Sequence, residues 1–481
     1  MKRNSLFSKI ISQVKHIFRS NDEACQQLRY SQKKYNDTSL QSPSSFIRQA
    51  TEWGYYDKAW TESPKILIAA GHGYGNVGDE AQLGACVLRW RKVYPNCNIT
   101  LFSPNPAYTT ALHQEHCIWA PRITWFLANT NTIYYTKKNL DFRTFYFFLS
   151  FRLVLTAHFI RLGLPLLLCH PREISTINEI LSSDIVHISG GGYLTGLTES
   201  RLWENALLMR ICHILGVRYM LTGHNIGVFK DRWDRLVARQ GLAHASYIGL
   251  RDKGLSEFEL LKIGVTGSHI HSTCDDALIC DVFEHGKTID LVKKTGADPA
   301  LPWVAINFHY WGMNNSKKDA IVARFAELCD YISQSHGLTC LFISMAPGDQ
   351  EACDSVIKSM SQQAFLVPYS PDYKVARSVI KYAKLCFTLK HNPIVFAIGE
   401  QTPVVSVSFD PYYELKNKGA LANIGLEEYA IGEAQFHSSQ AESYIDKAIE
   451  NSESFASIAL KYVNDQDSVS LDPYIEALRL S

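Results

Sequence analysis

No C-x-x-C pair occurs among the twelve cysteines of this chain, and no apolar run is long enough and clean enough to cross a bilayer. The scattered thiols, Cys86, Cys169, Cys274 and Cys386 among them, offer neither the ligand spacing of a zinc ribbon nor a disulfide framework. They read as reduced, buried cysteines of a cytoplasmic protein. Net charge is also lacking: 48 basic against 47 acidic side chains leave a formal +1. That balance excludes global attraction to nucleic acid, so the counter-charges of an acidic substrate must be local. There is no Walker Gly-Lys-Ser/Thr, no dinucleotide fingerprint, no H-E-x-x-H and no carboxylate cluster, so neither a cofactor nor a metal is expected. The basic start Met1-Lys2-Arg3 is not followed by the apolar core of a signal peptide.

What is present belongs to a globular chain, 46% hydrophobic and 20% charged, and 481 residues are too many for one ordinary core. Leu6, Ile10, Val14, Ile17 and Phe18 repeat at helical spacing among Lys2, Arg3, Lys9, Lys15 and Arg19. This basic amphipathic helix either docks on the protein or lies on the inner face of a membrane. A second apolar stretch, 145–168, is interrupted by Arg152, His158 and Arg161 and reads as a helical insertion that either packs on the body or touches lipid, rather than as a transmembrane helix.

From residue 65 short apolar runs alternate with helical segments, the rhythm of parallel sheets covered by helices. Strands are expected over 66–70, 99–102, 184–189, 218–222 and 247–251. After a polar pause to Pro302 they resume over 303–308, 338–345, 364–367, 385–389 and 404–408. The predicted fold is α/β, with two Rossmann-like domains facing a cleft. The expected limits are 1–62 for the N-terminal helix and linker, 63–290 for the first domain with its insertion near 140–170, 300–430 for the second, and 431–481 for a helical tail. The part of that tail over 445–463 is expected to pack back across the first domain.

Ligands of open α/β sheets bind at the carboxyl ends of strands, and several of these ends carry unusual residues. Gly71-His-Gly-Tyr-Gly-Asn-Val-Gly-Asp-Glu80 follows the first strand and opens its helix. Its glycines permit close backbone approach, and the helix start presents N–H groups to an anion. Gly75, Asn76, Gly78, Asp79 and Glu80 are therefore candidate binding or catalytic residues, with tight packing as the alternative reading. In Phe387-Thr-Leu-Lys-His-Asn-Pro-Ile394, Asn392 is the expected cap and Pro393 the first helical residue. That places Lys390 and His391 where a phosphate or carboxylate would sit. Arg251-Asp252 is either an anion clamp or a mutual salt bridge. His309 and Trp311, in Asn307-Phe-His-Tyr-Trp311, are candidates for stacking on a sugar. Phe409-Asp-Pro-Tyr-Tyr413 with Lys416 and Lys418 is a weaker candidate.

The opening turn, G-x-G-N-x-G-D-E-A after an N-terminal strand, resembles the first motif of the polysaccharide pyruvyl transferase family. Further landmarks follow in that family's order. Ser189-Gly-Gly-Gly192 is similar to its second glycine turn, Thr222-Gly-His-Asn-Ile-Gly227 to its Q-G-I-G-type segment, Arg251-Asp252 to its R-D element, and Cys274-Asp275-Asp276 to its D-P/D-x element. Lys390-His391 falls at its R-x-H element, with Leu389 in the Arg position. The resemblance covers residues 64–425 and implies a glycosyltransferase-B-like architecture. It implies transfer of a pyruvyl group from phosphoenolpyruvate, as donor substrate, to a sugar of a surface polysaccharide or lipid-linked glycan, forming a ketal. His391 would be a general acid of near-neutral pKa, Arg251 the clamp, and Asp79 or Glu80 the base on the acceptor. Gly191, Gly192 and Asn225 would line the site. A nucleotide-sugar glycosyltransferase, or a degenerate binding member lacking the Arg, are the competing expectations.

Overall fold

The computed structural model describes residues 63–69, 71–120, 142–164, 171–252, 254–310, 313 and 315–479. The expected N-terminal amphipathic helix, and Trp311, lie outside them.

Two parallel sheets organise the chain. The first is built from β1 (Lys65–Ala69), β2 (Asn98–Ser103), β3 (His116–Trp119), β4 (Ile185–Ile188), β5 (Gly191–Leu194), β6 (Tyr219–Ile226), β7 (Tyr247–Leu250) and β8 (Ile270–Ser272). Its order is β3-β2-β1-β4-β6-β7-β8, with β5 pairing beside β6. The second contains β9 (Trp303–Asn307), β10 (Thr339–Phe342), β11 (Ala364–Leu366), β12 (Leu385–Thr388), β13 (Val404–Ser408) and β14 (Ala430–Gly432), in the order β11-β10-β9-β12-β13-β14. Strands β1, β4, β9 and β12 are central and covered by helices, so Ile66-Leu-Ile68, Ile185-Val186 and Val304-Ala-Ile306 are continuous apolar runs rather than alternating ones. The expected strands all form. Four short strands lie outside the expected set, β3, β5, β8 and β14; β3 and β8, at the edges of the first sheet, carry half-exposed or exposed residues. The polar stretch before Pro302 also holds a helix, His285–Lys294.

Strand order reverses between β1 and β4 in the first sheet and between β9 and β12 in the second. A crevice opens at such a point, outside the carboxyl ends of the strands. The chain leaving β1 enters α1 (Val77–Val93), and that leaving β4 forms the glycine turn 190–192. The chain leaving β9 carries His309, and that leaving β12 carries Lys390 and His391. The strand-end motifs thus occupy both switch points.

The apolar insertion is α2 (Phe142–Arg161), which packs on α3 (Glu199–Leu215) through Tyr146 and Trp203, ring centroids 4.8 Å apart. Phe147 and Phe151 of α2 are about two-thirds exposed, at 66% and 65%. Among the described residues no helix is long and apolar enough to cross a membrane.

In the second domain, α4 (Tyr373–Lys381), α5 (His391–Gly399) and α6 (Pro411–Ala422) follow β11, β12 and β13. The helical tail contains α7 (Ser452–Val469) and α8 (Asp472–Arg479). Its return to the first domain comes later than expected. Ile445, Phe455 and Ala459 enter the second core, and it is Tyr474 and Ala477 of α8 that enter the first. Tyr474 meets the Trp90 ring at 4.9 Å, edge to face. Among the described residues of the tail, Tyr474 is the large aromatic that enters that core.

Candidate active site

The start of α1 does not offer free N–H groups to an anion. Asn76, the cap of α1, accepts from Gly78 N at 3.0 Å and Asp79 N at 3.4 Å. Glu80 N bonds the Asn76 carbonyl at 3.0 Å, and Val77 N bonds the carbonyl of Met345 in the second domain at 2.9 Å. Each donor of the first helical turn is therefore satisfied within the protein. The carbonyl of Gly75 accepts from Tyr369 Oη at 2.7 Å, again from the second domain. A β-carbon built on Gly78 would overlap the side-chain amide of Asn392. Packing, the alternative reading of this turn, is what its backbone does.

The two acids of the turn part company. Glu80 is fully buried, accepts from Gly73 N at 2.8 Å and pairs with His113 Nε2 at 2.8 Å. Those bonds tie the turn to its own domain, which removes Glu80 from the expected ligand contacts. Asp79 keeps a partly exposed carboxyl, 3.8 Å from Arg201 Nη1. Burial pushes its pKa up, against the pull of Arg201 and, more weakly, of Lys416 and Arg251. Arg201 also lies over the ring of Tyr74, which is exposed at the rim.

Arg251 stands at the carboxyl end of β7, buried. The mutual salt bridge of Arg251-Asp252 does not form, because the guanidinium pairs with Asp275 rather than with its neighbour. Its Nε donates to Asn225 Oδ1 at 2.5 Å, and Asn225 Nδ2 donates onward to Asp252 at 2.5 Å. Asn225 is thus a relay that orients Arg251. Asp275 also accepts from Gln82 Nε2 at 3.1 Å and Ala277 N at 2.9 Å. Burial alone would raise this carboxyl, yet the Arg251 guanidinium beside it holds it well below the usual range.

His391 reaches the same carboxylate from the second domain, Nε2 standing 3.4 Å from Asp275 Oδ2. Its Nδ1 faces the Lys416 carbonyl at 3.2 Å; since a carbonyl only accepts, Nδ1 carries the proton. Burial, then the Arg251 charge, lower the imidazole to about 4, and Asp275 only partly opposes them. The near-neutral acid expected from the sequence is thus not what these surroundings set. The helix also starts earlier than expected. Lys390, not Asn392, caps α5, because Thr388 Oγ1 takes Lys390 N at 3.0 Å and closes the turn two residues sooner.

Lys390 is not aimed at a ligand. Its ammonium bonds both oxygens of Asp349, at 2.7 and 2.6 Å. Leu389 is core, 2% exposed. The cation that the sequence ranked lower, Lys416 of α6, takes a different position. It is half-buried, touches Tyr412 Oη at 3.3 Å, and pairs with no carboxylate among the described residues. A β-carbon built on Gly192 would stand 3.0 Å from Lys416 Nζ and 3.1 Å from Arg251 Nη2. One cation from each domain therefore converges on the backbone of the glycine turn after β4. Gly191, beside it, pairs with His224 of β6. His309 lies deeper, 4% exposed and packed at 5.0 Å against the Tyr413 ring, with burial lowering its pKa to about 3. That leaves it no open face for a sugar.

A small pocket beside this convergence is lined by Arg251, Asp275, His391, Val395, Asn423 and Tyr462. Gln82, Asn423 and Tyr462 carry no motif of their own, and only their contacts bring them to notice; Asp275 lies in the Cys274-Asp275-Asp276 element. Among the described residues no cluster of His, Cys, Asp and Glu is arranged to hold a metal.

Several solved structures share this architecture. A Listeria monocytogenes protein assigned as a UDP-N-acetylglucosamine 2-epimerase superposes with a TM-score of 0.53 at 12% identity, covering 87% of this chain and 96% of that one. A glycosyltransferase of Rickettsia africae gives 0.52 at 12% identity, covering 88% and 100%. The UDP-GlcNAc 2-epimerase of Neisseria meningitidis, bound to UDP-GlcNAc, gives 0.50 at 10%, covering 86% and 100%. At such identities the likeness is one of fold, the glycosyltransferase-B-like pair of domains. No curated protein matches the chain. The family model described as polysaccharide pyruvyl transferase matches residues 76–411, from the cap of α1 to the first residue of α6. The chain belongs to the polysaccharide pyruvyl transferase family.

Proposed function

We propose that this protein transfers the pyruvyl group of phosphoenolpyruvate to two hydroxyls of one sugar in a polysaccharide or lipid-linked glycan. The observation that carries the reading is the meeting of Arg251 and Lys416 at Gly192. Two cations at one point, against backbone with no side chain in the way, suit a small ligand with both a phosphate and a carboxylate. Lys416 supplies the charge that Leu389 does not.

The reaction asks for protons at defined atoms. One proton adds to the methylene carbon of the donor, leaving a cation at C2 stabilised by its oxygen. A sugar hydroxyl adds to C2 and gives up its proton. The C2–O bond to phosphorus then breaks, phosphate leaves as the hydrogen phosphate dianion, and a second hydroxyl closes the ketal. Two hydroxyl protons are lost, and two are taken up, by carbon and by phosphate.

His391 is the proton carrier on the donor side. Neutral in these surroundings at pH 7, it gains basicity when the donor's phosphate brings negative charge beside it. Asp79, on the first domain's side and open toward Tyr74 and Arg201, receives the hydroxyl proton of the acceptor.

The test is incubation with phosphoenolpyruvate and extracted lipid-linked glycans, following phosphate release and the mass gain of a pyruvate ketal. Release that disappears in Arg251→Ala and His391→Ala supports the reading; absence of release from the native protein with every glycan overturns it.

A further inference from the structure

We propose that Asn76 and Gly78 are positioning residues that set His391 across the cleft through its neighbour Asn392. The inference rests on the reading of His391 as a reacting group. His391 and Asn392 are the first two residues of α5, so whatever fixes one backbone position fixes the other.

Asn392 Nδ2 points back at the cap of α1, 3.4 Å from Asn76 Oδ1, and its amide occupies the space that a side chain at position 78 would fill. The same turn is held by two further bonds from the second domain. Val77 N donates to Met345 O, and Tyr369 Oη donates to Gly75 O. Val77 and Ala81 of α1 are counted within the second domain's core, not the first's. One turn further, Gly84 admits the ring of Tyr373 from α4, a built β-carbon lying 2.7 Å from its Cε1.

Asn76 does two things with one oxygen. It caps α1 and faces the Asn392 amide, so the start of α1 and the start of α5 share a hydrogen-bonding centre. A shift of α5 relative to α1 moves His391 against Asp275 and Arg251, both held by the first domain and its link. Reacting groups lose rate steeply when displaced by an ångström. The glycine motif is then a spacer between domains, and its small residues are required by the partner surface rather than by a ligand.

The experiment is a double-mutant cycle on the full chain with Gly78→Ala, Asn392→Ala and both together. The expected result is a loss of kcat in each single variant, on the order of tenfold to 100-fold, with KM for phosphoenolpyruvate changed less than about twofold. The double variant should match Asn392→Ala, because the added methyl then has nothing to displace. Losses that multiply in the double variant, or that fall on KM, overturn the proposal in favour of a ligand cradle. Should Gly78→Ala not fold, Asn392→Ala adds no bulk and still decides between kcat and KM.

A second readout is independent of turnover. The imidazole resonance of His391 is assigned by its loss in His391→Gln, and its titration is followed in labelled protein. It should shift in Asn392→Ala and in Gly78→Ala. An unchanged titration overturns the positioning claim even if the native protein turns over no phosphoenolpyruvate, a result that would count only against the donor assignment.

Discussion

His391 Nε2 stands 3.4 Å from the Asp275 carboxylate, while its Nδ1 donates to the carbonyl of Lys416. An imidazole so held turns the lone pair of its neutral form toward a carboxylate, so a second proton is taken at Nε2, beside Asp275. Burial and Arg251 nevertheless keep the proton off until about pH 4. The pair is therefore charged unequally at neutral pH, Asp275 ionised and His391 not, and an arriving anion changes that balance.

Acid stability follows from the same burial. His187 is lowered to about 3, His224 to about 4 and His309 to about 3, in each case first by burial. With His391 they stay neutral in the fold while their unfolded counterparts, near 6.5, take up protons. Between pH 6.5 and about 4 the unfolded chain binds more protons, so stability falls as pH falls. Urea unfolding at pH 7.5 and pH 5 should show a lower midpoint at pH 5, and equal midpoints would contradict these environments.

Asp79 and Glu80 should separate under mutation. Glu80→Ala strands His113 and Gly73 N in the interior and is expected to cost about 3 kcal/mol of stability. Asp79→Asn keeps the shape of a carboxyl that is not required for folding, so its melting temperature stays near the native one while kcat falls. Thermal melts beside initial rates check both, and a destabilised Asp79→Asn would refute the division of labour.

Tyr474 is the tail's anchor in the first core, 1% exposed and against both Trp90 and His187. Its removal as Tyr474→Ala should cost about 3–5 kcal/mol, as for other large buried aromatics. Leu460→Ala, at a 47% exposed position of α7, is the control and should change stability by less than about 0.5 kcal/mol. Chemical denaturation of the two variants measures the contrast.

Much of this architecture was readable beforehand. Central parallel strands such as β1 and β9 are apolar without interruption, and the glycines, Arg251 and His391 fall where those strands end. What could not be read is what faces what. Gly78 looks like a ligand turn until Asn392, far along the chain, is seen filling the space above it. Lys390 looks like the missing cation until its ammonium is found between the two oxygens of Asp349, and Lys416 looks ordinary until β13 and α6 carry it to Gly192. The edge strands β3 and β8 are hard to read because their few residues are half-exposed or exposed, and β5 and β14 because they are glycine-bearing strands of four and three residues. The start of α5 was misplaced because Pro393 suits any position of the first turn, where N–H groups lack helical partners in any case.

The central claim is that Arg251 and Lys416 together hold the donor's anionic groups, and calorimetric titration of Lys416→Ala with phosphoenolpyruvate tests it most directly. Lys416 has no ion pair to lose among the described residues, so the variant should melt within a degree or two of the native protein, roughly the effect of a neutral surface change. Its affinity for phosphoenolpyruvate should fall by about tenfold or more, the loss of one charge-assisted contact. Native affinity in Lys416→Ala would contradict the account.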